Sequence, residues 1–235
     1  MRQKGIQMAT ETKAHQRYRL STTKDWPKGE IVPGVTTIID SQLGWNKRVL
    51  IGWARREALA GRDPDKILDQ AGDIGSAVHN MIEAHVKSQI KNVKIETNLS
   101  DFSQDVIDKA ETAFLAFLDW EKHNNLKYIA SELTVISEEF RYGGMIDIIA
   151  VRDGSIWLID PKSSKGIYPE FIVQVAAYKM AYWEQEHKLI NEIHLLHLGK
   201  ENGEFSDHKI SPKQIEYALD VFLKCRALYD LQKKF

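Results

Sequence analysis

Three residues, Asp147, Asp160 and Lys162, have types and spacing that can assemble a cation site beside an ammonium group. Asp153-Gly154 between them is a strong hairpin signal, because a two-residue turn joining strands needs positive φ at its centre. A turn centred there leaves 147 and 160 equidistant from it, so an antiparallel hairpin sets their carboxylates side by side. Opposed carboxylates repel unless a cation sits between them, and a hard divalent ion such as Mg²⁺ favours carboxylate and water ligands. Asp160 and Lys162 are two apart in a strand and point to one face. The ammonium can then orient or activate a water and stabilise charge growing on a phosphate. The cation would lower the pKa of that water and polarise the ester. Pro161 keeps its carbonyl free as a further ligand. Singly, an Asp-x-Lys pair or a strand-end aspartate is ordinary. Their matching positions across one hairpin carry the reading, as does the apolar run Ile156-Trp157-Leu158-Ile159, which makes Asp160 the end of a buried strand.

The elements that must position these groups follow from periodicity. Residues 18–40 read as a strand, a polar turn around Trp26-Pro27-Lys28-Gly29, and a second strand at 35–39. A helix is expected at 46–60 with Val49, Leu50, Trp53 and Ala54 on one side, broken by Gly61 and Pro64. Further helices are expected at 74–86 and 103–123, the latter with an apolar stripe of Ile107, Ala110, Phe114, Phe117 and Leu118. The period then changes to a meander of three strands, 130–141, 145–152 and 155–160, with turns at Gly143-Gly144 and Asp153-Gly154. A helix at 169–187 and strands at 193–198 and 205–210 come next. The last helix opens on Ser211 as N-cap, with Pro212 and Gln214 forming a capping-box pattern. The fold class expected is α/β, a mixed central β-sheet with an antiparallel meander carrying the site, flanked by helices. Residues 1–15 read as a flexible lead-in and 16–235 as one domain with an N-terminal helical elaboration.

Composition narrows the chemistry. Cys225 is the only cysteine, which excludes an internal disulfide, a four-cysteine iron–sulfur cluster and a thiolate zinc site. His194 and His197, three apart in a strand, point to opposite faces and do not make a zinc site either. No apolar run approaches the roughly 20 residues that cross a bilayer, so no membrane partner and a cytoplasmic setting are expected. A formal net charge of -1 gives no global signature of nucleic-acid binding. Phosphate affinity needs only a local basic stripe, however, and an acidic metal cluster offsets it.

Gly144-Met145-Ile146-Asp147, then Asp160-Pro161-Lys162-Ser163-Ser164, then Gln174-Val175-Ala176-Ala177-Tyr178 form an ordered series. Upstream stand Gly75-Ser76-Ala77-Val78-His79 and Glu83, with His79 and Glu83 on one helix face. The series resembles the RecB-like branch of the PD-(D/E)XK nuclease superfamily, whose fold is restriction-endonuclease-like. Residues 35–39 and the Trp53 helix are similar to the N-terminal region of mitochondrial-genome-maintenance exonucleases and related phage exonucleases. The likeness spans about residues 33–185. It implies His79, Asp147 and Asp160 at the metal, Lys162 as the catalytic lysine, and Gln174 and Tyr178 positioning substrate or catalytic groups. Two departures stand out: proline in the middle of Asp-x-Lys, where a strand is expected to end or bulge, and the absence of cluster cysteines.

The remaining candidates are Glu83 as a support to the metal ligands and Lys165, Arg55 and Arg56 as phosphate contacts. For Lys47, Arg48, Arg55 and Arg56 the competing reading is a solvated helix face. The function expected is Mg²⁺- or Mn²⁺-dependent hydrolysis of DNA by an exonuclease acting on single strands or free ends, in a bacterium or phage-infected host. The alternatives are an inactive DNA-end-binding module, a duplex-end exonuclease, a structure-specific endonuclease, or an α/β scaffold with no site. The sequence carries no signal of oligomeric state.

Overall fold

A computed structural model describes residues 17–23 and 27–235. The expected lead-in at 1–15, and Trp26 of the first turn, lie outside the described residues. Strands β1 (Tyr18–Arg19) and β2 (Ile31–Val32) form a small antiparallel ribbon. Four helices follow, α1 (Val35–Gln42), α2 (Lys47–Leu59), α3 (Pro64–Lys91) and α4 (Gln104–Lys122). Then come β3 (Lys127–Ser137), β4 (Tyr142–Arg152), β5 (Ser155–Lys162), α5 (Pro169–Glu186), β6 (Glu192–Leu198), β7 (Phe205–Lys209) and α6 (Pro212–Gln232). No helix among the described residues is long and apolar enough to cross a membrane.

The main sheet has the order β3-β4-β5-β6-β7, antiparallel except where β5 and β6 run parallel. A parallel pair needs a crossover, and α5 supplies it. The mixed sheet flanked by helices agrees with the expected fold class. One face buries Ile146, Ile149, Leu158 and Leu195 against α1, α5 and α6. The other buries Ile148, Trp157, Ile159 and Leu196 against α3 and α4. Phe117, fully buried from α4, alone contributes about 2–3 kcal/mol by area removed from water.

The hairpin between β4 and β5 turns at Asp153 (φ 49°) and Gly154 (φ 80°), the two positive φ values its type I′ geometry demands. The capping box of Ser211 and Gln214 forms, and Asp63 caps α3 by accepting from the Asp65 and Lys66 amides.

Three expectations fail. Residues 35–39 are helical, because Val35, Ile38 and Ile39 repeat at i, i+3, i+4 and are all buried, so packing overrides the β-preference of Val-Thr-Thr-Ile-Ile. The turn between β3 and β4 lies at residues 138–141 rather than at Gly143-Gly144, which are inside β4. Helix α2 has no buried residue: Val49, Leu50 and Ile51 are 69%, 49% and 69% exposed, so the expected apolar side covers no core.

Candidate active site

The register pairing Ile148 with Ile159 extends one step to Asp147 and Asp160, so the hairpin does set these carboxylates on neighbouring strands. Beyond Ile159, β5 pairs with β6 alone, through Asp160, Pro161 and Lys162 opposite Leu195, Leu196 and His197. The expected end or bulge at Pro161 is therefore absent. With β4 no longer pairing there, a residue without an N–H is tolerated, and the strand continues to Lys162.

Asp160 is 1% exposed. The Lys162 ammonium lies 2.7 Å from its Oδ2, while its Oδ1 has no hydrogen-bond partner among the described residues. Burial, more than the ammonium can offset and with Asp147 adding to it, pushes the Asp160 carboxyl up to about 6. A buried carboxylate held this way is short of positive charge.

Lys162 is fixed from three sides. It meets Asp160, donates to Gln174 Oε1 at 3.2 Å, and lies 4.8 Å from the centre of the Phe171 ring. Gln174 in turn donates to Tyr178 Oη at 2.8 Å, one turn along α5. Burial raises the Tyr178 hydroxyl well above its ordinary value, so it stays protonated. The Tyr178 ring packs against Gly144, where an added Cβ would come within 2.3 Å of Cε1, and Tyr18 packs against Gly143, where a Cβ would come within 2.1 Å of its Cγ. The glycine pair is there for close approach, not for a turn.

From the other layer, α3 brings His79, whose Nδ1 is 3.6 Å from Asp147 Oδ2. Gly75, one turn earlier, lets α3 press on the segment after Lys162; a Cβ there would lie 3.3 Å from Ser163 Oγ. Glu83 forms an ion pair with Lys87.

One residue was not expected from the sequence. Glu132 on β3 stands opposite Asp147 by register, between the pairs Ser131–Ile148 and Leu133–Ile146. Its carboxylate, that of Asp147 and a ring nitrogen of His79 lie within 4.8 Å of one another, close enough to hold a metal ion. Together with the orphaned Asp160 oxygen, this donor set of carboxylates and one imidazole fits a divalent cation.

The sequence profile of the PD-(D/E)XK nuclease superfamily matches residues 50–231. The chain belongs to that superfamily. No curated protein matches it. Among solved structures, a candidate exonuclease from Eubacterium rectale is similar over 64% of this chain, with 13% identity and a TM-score of 0.45. The match also spans 64% of that protein. The structure of SSO0001 is similar over 77% of this chain and 86% of its own, with 12% identity and a TM-score of 0.29. At these values nothing is transferred from either.

Lys165, Arg56 and Arg62 lie near Glu57 of α2. The Arg62 hydrogen bond and charge, then the charges of Lys165 and Arg56, hold the half-buried Glu57 carboxyl low. Asn46, just before α2, donates to Glu170 at the start of α5. The loop that carries Lys165 is anchored by a 2.8 Å contact between His197 Nε2 and the Ser164 carbonyl.

Proposed function

We propose that this protein is a Mg²⁺- or Mn²⁺-dependent deoxyribonuclease of the RecB-like branch, an exonuclease acting on single-stranded DNA or free DNA ends. The observation that carries this is the Asp160–Lys162 pair, 2.7 Å apart, with one buried Asp160 oxygen left for a cation. The preference for single strands and ends rests on the likeness of residues 35–39 and the Trp53 helix to the mitochondrial and phage exonucleases, with 35–39 forming a helix rather than the expected strand. Residues 16–235 act as one nuclease unit in this reading.

Asp147, Asp160, His79 and the Pro161 carbonyl would hold the cation, which supplies Lewis-acid polarisation of the phosphodiester and a more acidic water. Lys162 orients the attacking water and offsets negative charge on the phosphate as the P–O bond to the leaving oxygen breaks. Gln174 fixes the ammonium through its Oε1, and Tyr178 fixes Gln174. Both therefore position rather than react. Lys165, Arg55 and Arg56 give the strand phosphates a positive border, and Glu83 supports the α3 face that bears His79.

The test is cleavage of end-labelled single-stranded DNA with Mg²⁺, Mn²⁺ or EDTA, beside Asp160→Ala and a circular single-stranded control. Metal-dependent loss of the linear strand, absent in the variant and sparing the circle, is the expected result. Cutting of the circle would make the enzyme an endonuclease. Binding of DNA with no cutting of single-stranded, duplex or branched substrates would overturn the reading in favour of an inactive end-binding module.

A further inference from the structure

Helix α5 starts on a residue that helix physics does not choose. Its N-cap is Tyr168, in extended conformation and with no capping hydrogen bond from its side chain, where Ser, Thr, Asp or Asn would satisfy a free amide. The core does not account for the ring either. Tyr168 is 39% exposed, and among the described residues its ring meets no ring but that of Phe171, edge to face at 5.6 Å and 67°. A position that serves neither helix nor core, close to a reactive group, is where function overrides local preference.

The surroundings of Tyr168 hold it still. Pro169 follows it at the first helical position and confines its backbone to the extended region. Phe171, packed against the core, backs the ring, and the Phe171 amide donates to the Tyr168 carbonyl at 3.0 Å. The centre of the same Phe171 ring lies 4.8 Å from the Lys162 ammonium. Two ring steps therefore separate Lys162 from Tyr168, a span that a base can bridge when its sugar adjoins a phosphate at Lys162. Lys165, exposed and three residues before Tyr168 on the same segment, offers a charge to a neighbouring phosphate.

We propose that the Tyr168 ring is a stacking platform for the base beside the scissile phosphate, so that the site takes unpaired strands in preference to duplex. This rests on the reading of Lys162 as the lysine of the cleavage site. Every base has a face to offer, so the contact holds a strand without reading its sequence. In a duplex that face is covered by the next base pair. A ring already fixed by Pro169 and Phe171 loses little freedom when a base lands on it.

The experiment measures binding in EDTA, on the full chain and on Tyr168→Leu and Tyr168→Trp, of two end-labelled single strands of equal length. One carries bases and the other is abasic throughout. Both present the same phosphates, so the ratio of their affinities isolates the bases. Tyr168→Leu keeps apolar bulk against Phe171 and is expected to reduce that ratio about tenfold, with the abasic strand and a blunt duplex bound as by the parent. An unchanged ratio, or an equal loss on duplex, overturns the platform. Tyr168→Trp keeps a ring and reports directly: its added emission over the parent is expected to be quenched by the base-carrying strand and not by the abasic one. Equal emission with both strands overturns the platform even where Tyr168→Leu fails to fold. Cleavage of the base-carrying strand by the parent with Mg²⁺ keeps the two readings apart. Failure of the platform with cleavage intact leaves the nuclease standing, and absence of both binding and cleavage overturns both.

Discussion

Asp160 and Asp207 are carboxylates on the same sheet, each with a histidine and another acid nearby, yet their surroundings drive them in opposite directions. Asp207 on β7 meets His194 Nδ1 at 2.8 Å and accepts from Trp120 Nε1 at 2.9 Å. Burial alone would raise it, but the His194 and Trp120 hydrogen bonds, with the His194 charge, outweigh that and hold it low. Glu192 on the other side of His194 is held by Lys209 at 2.6 Å, and the His194 ring stacks on Trp157 at 4.1 Å. Each charged or ionisable group in that cluster has its complement, although the Trp157 Nε1 beside it has no hydrogen-bond partner among the described residues. Asp160 is more deeply buried, has a second carboxylate beside it and a single ammonium to answer both, and is pushed up to about 6. The same residue types make a strut where satisfied and a candidate reactive site where left short of charge.

The largest effect that tests this contrast is at Lys162. Lys162→Ala is expected to lower the cleavage rate by about 10³-fold, with affinity for DNA changed little. Near-normal cleavage in a clean preparation would remove the lysine from the chemistry. Next, the two aspartates should answer oppositely to loss of charge. Asp160→Asn is expected to abolish cleavage and to stabilise the metal-free protein by about 1–3 kcal/mol, the scale of an unsatisfied buried group. Asp207→Asn is expected to cost about 1–3 kcal/mol and leave cleavage near normal. Denaturant unfolding of both, with EDTA, checks the signs. Equal signs would dissolve the distinction.

Acid sharpens it. A carboxyl held low when folded contributes its full stability above its unfolded value, near 4, and loses it as pH falls through the lower folded value. The parent chain should therefore lose stability below about pH 4 more steeply than Asp207→Asn, measured by unfolding across pH 2–7. Parallel curves would mean that Asp207 gains nothing from its partners. The smallest effect is at the rim. Arg55→Ala and Arg56→Ala are each expected to weaken single-strand binding a few-fold and to reduce the salt slope by about 0.7. An unchanged slope would make α2 a merely solvated face.

Much of the site was legible because it is local. The turn at Asp153-Gly154 needs two positive φ values, and that alone fixes which residues of β4 and β5 oppose each other. The Gln174–Tyr178 pair follows from helix spacing. Glu132 was illegible because its partner is set by the β3–β4 turn, and Gly143-Gly144 drew that turn to the wrong place. With the turn at 138–141, the register brings Glu132 opposite Asp147. Helix α1 was misread for a different reason. Its β-branched residues favour a strand locally, and only the buried surface of α5 and α6 decides otherwise.

Gly144 has one consequence for distance rather than for conformation. A helix rests on a sheet at a spacing set by the side chains between them, and here the Tyr178 ring occupies the space a Cβ of residue 144 would need. The gap between layers is thus narrowed by the depth of a side chain at the one point where α5 must reach across to β5. Widen it, and Gln174 would be withdrawn from the Lys162 ammonium 3.2 Å away. The aim of the lysine is set, through Tyr178 and Gln174, by a carbon atom missing from the neighbouring strand.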